Sequence, residues 1–228
     1  MNVAALIPVK GFRNAKQRLA PLLSNAARQV LAESMFRDVL RQVRAARGLA
    51  EIFVVTGDET VAGIAAHGGA QVIRERGENG ETAAVDFARA ELKSAGCEAV
   101  LILPADMPLV CAADIEEILA HVPAGAAAPF ALLVPSHDRK GTNALLLAPP
   151  DIIKLRFGYD SFAFHLGQIS AQQLPVRFME NDHVALDIDE PQDLERFLAC
   201  GYEGGDSTRV ARGLLQQNAA GAGRCETL

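Results

Sequence analysis

The chain has no surplus of positive charge: 28 Asp and Glu outweigh 22 Lys and Arg, for a net charge of −6 and a pI near 5.4. Nucleic-acid surfaces draw their affinity from clustered cations, so a polyanion partner is not expected and any phosphate held here should be small. CxxC pairs are also lacking. Cys97, Cys111, Cys200 and Cys225 keep no ligand spacing with the five histidines, which suggests neither a zinc site nor a disulfide frame and fits a reducing compartment. No apolar run reaches the roughly 18 residues of a membrane span. The start, Met1–Pro8, lacks the basic and apolar regions of a signal peptide, so a cytoplasmic protein without a membrane partner is expected. GxxxxGK[ST], GxGxxG and GxSxG are all missing, which weighs against a P-loop ATPase, a dinucleotide oxidoreductase and a serine hydrolase. There is no internal repeat.

What the chain does contain is enough apolar material, 50% of 228 residues, for a core of its own. Val100–Leu103 is an uncharged run that reads as a strand buried on both faces, and Asp106 follows where the strand must stop, between Pro104 and Pro108. In an open parallel sheet ligands bind outside the carboxyl ends of the strands, so this acid points into the expected site. Val3–Val9 reads as the first strand, followed by Lys10, Gly11, Arg13, Lys16 and Arg18. Glycine amides and cations there suit a polyphosphate, and a solvated basic loop is the alternative.

Helices are expected from Ser24 or Asn25 to about Arg47, over Glu59–His67, over Thr82–Ala95, and from Asp114 to about His121. Strands are expected at Glu51–Thr56, Ala70–Ile73, Ala131–Pro135, Ala144–Leu147 and Pro175–Phe178. The loop Arg74–Thr82, with Gly77 and Gly80, suits a cover over a base or ribose, although an ordinary surface turn reads the same. Gly158 and Ser161, before a helix at Phe164–Ala171, offer free amides to a phosphate or carboxylate. Val184–Asp189 reads as a last strand whose period of two puts Asp187 and Asp189 on one face, where their repulsion calls for a cation. A helix follows from Pro191 to Cys200. The pattern is α/β with a mostly parallel twisted sheet and an antiparallel insertion, formed by residues 1–200, with 201–228 a flexible tail carrying a short helix near Val210–Gln217.

The basic loop, Asp106, and the Asp187/Asp189 pair together describe a nucleoside-triphosphate site in which carboxylates hold Mg²⁺ and cations hold phosphates. Taken singly, Asp106 could only cap a turn and Asp189 only cap the last helix. His67, His121 and His183 are isolated. His137 and His165 lie nearest the anion site, and neither is assigned to catalysis.

The motifs Ile7–Lys10, Ala15–Leu19, Leu103–Leu109, Gly141–Leu145, Phe157–Phe162 and Asp187–Leu194 together resemble the CofC/FbiD family of guanylyltransferases. The resemblance covers about residues 3–200. It implies a three-layer, Rossmann-like nucleotidyltransferase of the GT-A type that uses GTP and Mg²⁺. The implied reaction activates 2-phospho-L-lactate, phosphoenolpyruvate or 3-phospho-D-glycerate for coenzyme F-420 biosynthesis, with release of pyrophosphate. By position it assigns Asp106, Asp187 and Asp189 to the metal and Thr142, Gly158 and Ser161 to the acceptor. Lys10, Gly11, Arg13, Lys16, Gly80 and Thr82 fall to the nucleotide, with Lys16 and Asp106 as the catalytic pair. Gly80-Glu81-Thr82 departs from the family's usual Gly-Leu-Asn. The alternative is a related CTP or GTP nucleotidyltransferase acting on a molybdopterin-type cofactor or a sugar phosphate. Expected partners are GTP and a small phosphorylated carboxylic acid, with homodimerisation left open.

Overall fold

Six successive buried residues, Val3–Pro8, make β1, and both of its faces are covered because both meet helices. The computed structural model describes residues 1–75, 77, 80–123 and 129–222, with side chains to 217. The elements after β1 are α1 (Asn25–Ala45), β2 (Glu51–Thr56), α2 (Glu59–His67), β3 (Gln71–Arg74), α3 (Glu81–Ser94), β4 (Ala99–Ile102) and α4 (Ala112–Ala120). The second half adds β5 (Phe130–Pro135), β6 (Thr142–Ala148), α5 (Ser161–Ala171), β7 (Arg177–Phe178), α6 (Asp182–Ala185), α7 (Pro191–Ala199) and α8 (Asp206–Ala222).

The strands lie in the order β3-β2-β1-β4-β6-β5-β7. β1 pairs in parallel with β2 and β4, in registers such as Ala4 with Glu51 and Val3 with Ala99. β6 is antiparallel to both β4 and β5, while β7 is parallel to β5, so β6 alone runs against the others. Alternation along β1 divides the core. Val3, Ala5 and Ile7 pack with Phe36, Val39 and Ile115 on one face, and Ala4 and Leu6 pack with Val85, Ala88 and Leu92 on the other. This is the expected three-layer arrangement. Local chemistry starts the helices: Ser24 Oγ accepts from Ala27 N–H at 3.2 Å, and Asp58 Oδ1 accepts from Thr60 N–H at 2.8 Å.

Two expectations are corrected. Val184–Asp189 is no strand: its start belongs to the short α6, and 186–189 runs as an extended segment outside the sheet, where Ile188 N–H donates to Asp106 O at 3.0 Å. Period two was read correctly, but this backbone pairs with a loop instead of a ladder. Residues 206–222 are no flexible tail. They form α8, which seats Ala211, Leu214 and Leu215 in a third core cluster with Leu31, Met35 and Phe197. Its cap comes from far away, since the buried Asp38 of α1 accepts from Ser207 N–H at 2.8 Å and from Ser207 Oγ at 2.6 Å. No helix among the described residues is long and apolar enough to cross a membrane.

Candidate active site

The site lies beyond the carboxyl ends of β1, β2 and β4, the place an open parallel sheet offers. Asp106 is on the Pro104–Pro108 turn just after β4. Asp187 and Asp189 reach the same point from the extended segment that the Ile188–Asp106 bond holds against that turn. Each of the three carboxylates offers an oxygen within 4.8 Å of the others. Lys16 Nζ lies among them, 2.5 Å from Asp106 Oδ2 and 2.8 Å from Asp189 Oδ1. Its backbone is left-handed, at φ 53°, which turns the side chain inward from the loop after β1.

The charges shape one another. Burial works against the Lys16 ammonium, but Asp106 and Asp189 overcome it and raise its pKa. Burial would raise Asp189 too, yet Lys16, with Arg18 beyond it, keeps it below the usual carboxylate range. Asp187 lacks such a partner: burial, then the Asp106 charge, push it up to about 6, against the Asn143 Nδ2 hydrogen bond of 3.0 Å. Asp106 Oδ1 is buried with no hydrogen-bond partner. Three converging acids, one with an orphaned oxygen and one with a raised pKa, are a hard oxygen donor set that fits a divalent ion such as Mg²⁺.

Two cavities meet at Asp106. The first is lined by Lys10, Gly11, Lys16, Val55, Glu75 and Glu81. Gly11 has φ 139°, and a Cβ there would lie 2.8 Å from Asp58 Oδ2, so the loop takes its course only with glycine. The second is lined by Thr142, Gly158, Ser161 and the three acids, with Arg18, Lys140 and Arg196 for positive charge. Gly158 has φ 97° and Asp160 φ 62°, a tight turn that delivers Ser161 as the first residue of α5. Thr142 opens β6, and its Oγ1 lies 3.0 Å from His165 Nδ1. Since Arg156 N–H donates to His165 Nε2 at 3.2 Å, the ring proton is on Nδ1 and is given to Thr142. Burial, with Arg156 and Arg89 nearby, lowers His165 to about 4, so the ring is neutral.

The structure thus joins Lys10, Gly11, Lys16 and Asp106 at one cavity, and Thr142, Gly158, Ser161, Asp187 and Asp189 at the other. It does not join all the expected residues. Arg13 is exposed and lines neither cavity. Gly80 caps α3, and Thr82 Oγ1 accepts from Phe157 N–H at 3.0 Å, tying the start of α3 to the turn before α5; neither residue lines either cavity. Glu81, Asn143 and His165 were not assigned from sequence. The departure at Gly80-Glu81-Thr82 was the signal for Glu81, which burial and then Asp106 raise to about 7. Cys111 and His183 also approach Asp114, against the sequence spacing, but that carboxylate already accepts from Cys111 N–H and Asn181.

The structure is similar to a putative nucleotide-diphospho-sugar transferase from Desulfovibrio desulfuricans G20, with a TM-score of 0.75 at 17% identity, covering 96% of this chain and 99% of that one. That likeness speaks for the nucleotidyltransferase fold. In sequence the chain is 39% identical to the phosphoenolpyruvate guanylyltransferase of Rubrobacter xylanophilus, over 88% of this chain and 96% of that protein. It is 33% identical to the 2-phospho-L-lactate guanylyltransferase of Methanothermobacter thermautotrophicus, over 88% and 86%. Residues 3–214 match the family described as "Guanylyl transferase CofC like", so the chain belongs to the CofC guanylyltransferases and is a nucleotidyltransferase.

Proposed function

We propose that the enzyme transfers GMP from GTP to phosphoenolpyruvate or a near relative, 2-phospho-L-lactate or 3-phospho-D-glycerate. The reaction activates the acid for coenzyme F-420 biosynthesis in the cytoplasm. The observation that carries the reading is the convergence of Asp106, Asp187 and Asp189 on Lys16 at the junction of two cavities, one reaching the basic loop after β1 and the other the Thr142–Ser161 turn.

The chemistry is a problem of charge. A phosphate oxygen of the acceptor forms a bond to the α-phosphorus of GTP while the bond to the β-phosphate bridging oxygen breaks, and pyrophosphate leaves with the electron pair. Two polyanions must be held in line for this. Lys10 and Lys16 neutralise the triphosphate, and Thr142, Gly158 and Ser161 orient the acceptor through hydroxyls and the amides at the start of α5. Asp106, Asp187 and Asp189 would hold Mg²⁺, which supplies further neutralisation of phosphate charge when bound. No general base is needed, because the attacking phosphate is already ionised. That suits a site whose one buried histidine, His165, is neutral and engaged with Thr142.

The test is pyrophosphate release from GTP with each of the three acids, with and without Mg²⁺, and with CTP in place of GTP. The expected result is release with GTP, one preferred acid and Mg²⁺, abolished by chelation. Silence with all three acids, or preference for CTP, would sink the proposal.

A further inference from the structure

Glu75 follows β3 directly, and its N–H donates to Thr56 O at 3.1 Å, which continues the pairing of β3 with β2 by one residue. Its side chain lines the first cavity together with Val9, Phe12, Val55 and Ala84. Glu75 Oε1 is buried with no hydrogen-bond partner, and among the described residues no cation forms an ion pair with it. The strand order sets the ends of β3, β2, β1 and β4 side by side. The cavity therefore runs from Glu75 after β3, past Lys10 and Lys16 after β1, to Asp106 after β4. A triphosphate belongs at the lysines, which leaves the β3 end for the base.

An acid facing a polyanionic ligand is a liability unless a neutral donor meets it, and a buried acceptor left unpaired is destabilising. Carboxylates only accept. Guanine is the base whose pairing edge offers two adjacent donors, N1–H and the exocyclic N2 amine, to the two oxygens of one carboxylate. Adenine and cytosine set a donor beside a lone pair, and uracil sets one donor between two acceptors. We infer that Glu75 is the base-reading residue of the enzyme, its buried carboxylate accepting from N1–H and the N2 amine of guanine, so that the empty acceptor at the β3 end is what selects GTP. The inference rests on the guanylyl-transfer reading for the nucleotide, and not on the acceptor acid.

Calorimetric titration of the full chain with GTP, ITP, ATP and dGTP in Mg²⁺ tests it, since nucleotide binding can be read without any acceptor. ITP keeps N1–H but lacks the N2 amine, and the wild type is expected to bind it about tenfold or more weakly than GTP. Glu75→Gln is expected to lose about 10- to 100-fold for GTP, to bring GTP and ITP within about threefold, and to improve ATP relative to GTP, because an amide offers adenine a donor and an acceptor. dGTP should follow GTP in both proteins. Thermal melting of Glu75→Gln at the wild-type temperature would show that the fold is kept. An unchanged GTP to ITP ratio in Glu75→Gln overturns the inference, and so does a loss confined to GTP and absent with dGTP, which would place Glu75 on the ribose. Failure of all three acids in the pyrophosphate assay would instead count against the acceptor reading and leave these ratios standing.

Discussion

The two cavities that meet at Asp106 are built in different ways. The first is walled by the ends of β1 to β4, by the turns that follow these parallel strands, and by the faces of α1 and α3 that pack beside them. The second is walled by β6, the turn before α5, and the extended 186–189 segment, held by bonds between residues far apart in the chain. Asn143 Nδ2 reaches Val184 O and Asp187 Oδ1, both at 3.0 Å, and Thr142 reaches His165. A repeated strand–turn–helix unit suits the part that the proposed reaction shares with relatives all named guanylyltransferases, the nucleotide. Loops tied by side chains can be retuned singly, which suits the part that differs among relatives named for phosphoenolpyruvate and 2-phospho-L-lactate.

Changes at Asp106 should erase the comparison, because that residue belongs to both cavities. Asp106→Asn removes a charge from the proposed metal site and leaves Lys16 with Asp189 alone, and turnover is expected to fall by about 10³-fold. Pyrophosphate release at saturating GTP and acceptor reads it. A loss of less than about tenfold would mean that the three acids do not act at the reacting phosphates.

A change confined to the second cavity should separate the two. Thr142→Val keeps the shape at the start of β6 but removes the hydroxyl that meets His165 and, on the proposed reading, the acceptor. The KM for the acid should rise about tenfold, with GTP affinity changed less than twofold, since a single neutral hydrogen bond to a charged group contributes about 1.5–3 kcal/mol. Equal losses for both substrates would show that the cavities are not independent.

The sequence was legible where structure is local. β1, β2, α2 and the Asp106 turn follow from apolar runs, caps and prolines within a few residues of one another. The acids near 187–189 were found by their spacing, although the backbone carrying them is not a strand. What could not be read was supplied from a distance. Asp38 caps α8 across 169 residues, and that distant support is why the local pattern after Gly201 read only as a tail with a short helix near Val210–Gln217. Thr82 was read as a nucleotide contact, and no local pattern signals the bond its hydroxyl accepts from Phe157 N–H, 75 residues on.

His165 gives a prediction of stability instead of rate. Its folded pKa of about 4 lies below the ordinary 6.5, so between these values the unfolded chain binds more protons. The stabilising contribution is therefore complete above about pH 6.5, declines as pH falls, and is gone near pH 4, a span of about 3 kcal/mol. Denaturant unfolding from pH 7 to 4 should show wild type losing stability faster than His165→Gln over that window. Parallel curves would contradict a buried neutral ring and, with it, the assignment of the Nδ1 proton to Thr142.

The smallest expected effect lies outside both cavities. Ser207→Ala removes one of the two hydrogen bonds that Ser207 makes to Asp38, while the backbone N–H keeps the other. Because the carboxylate is buried, loss of the hydroxyl should cost about 1–2 kcal/mol, seen as a lower denaturant midpoint at an unchanged slope. Activity should stay at the wild-type level, since α8 packs on α1 and α7 at Leu31, Met35 and Phe197, away from Asp106. A mutant of normal stability would argue that residues 206–222 are only loosely attached. A mutant of normal stability and altered GTP binding would tie α8 to the first cavity through α1, whose Ala32, Met35 and Phe36 form part of its wall.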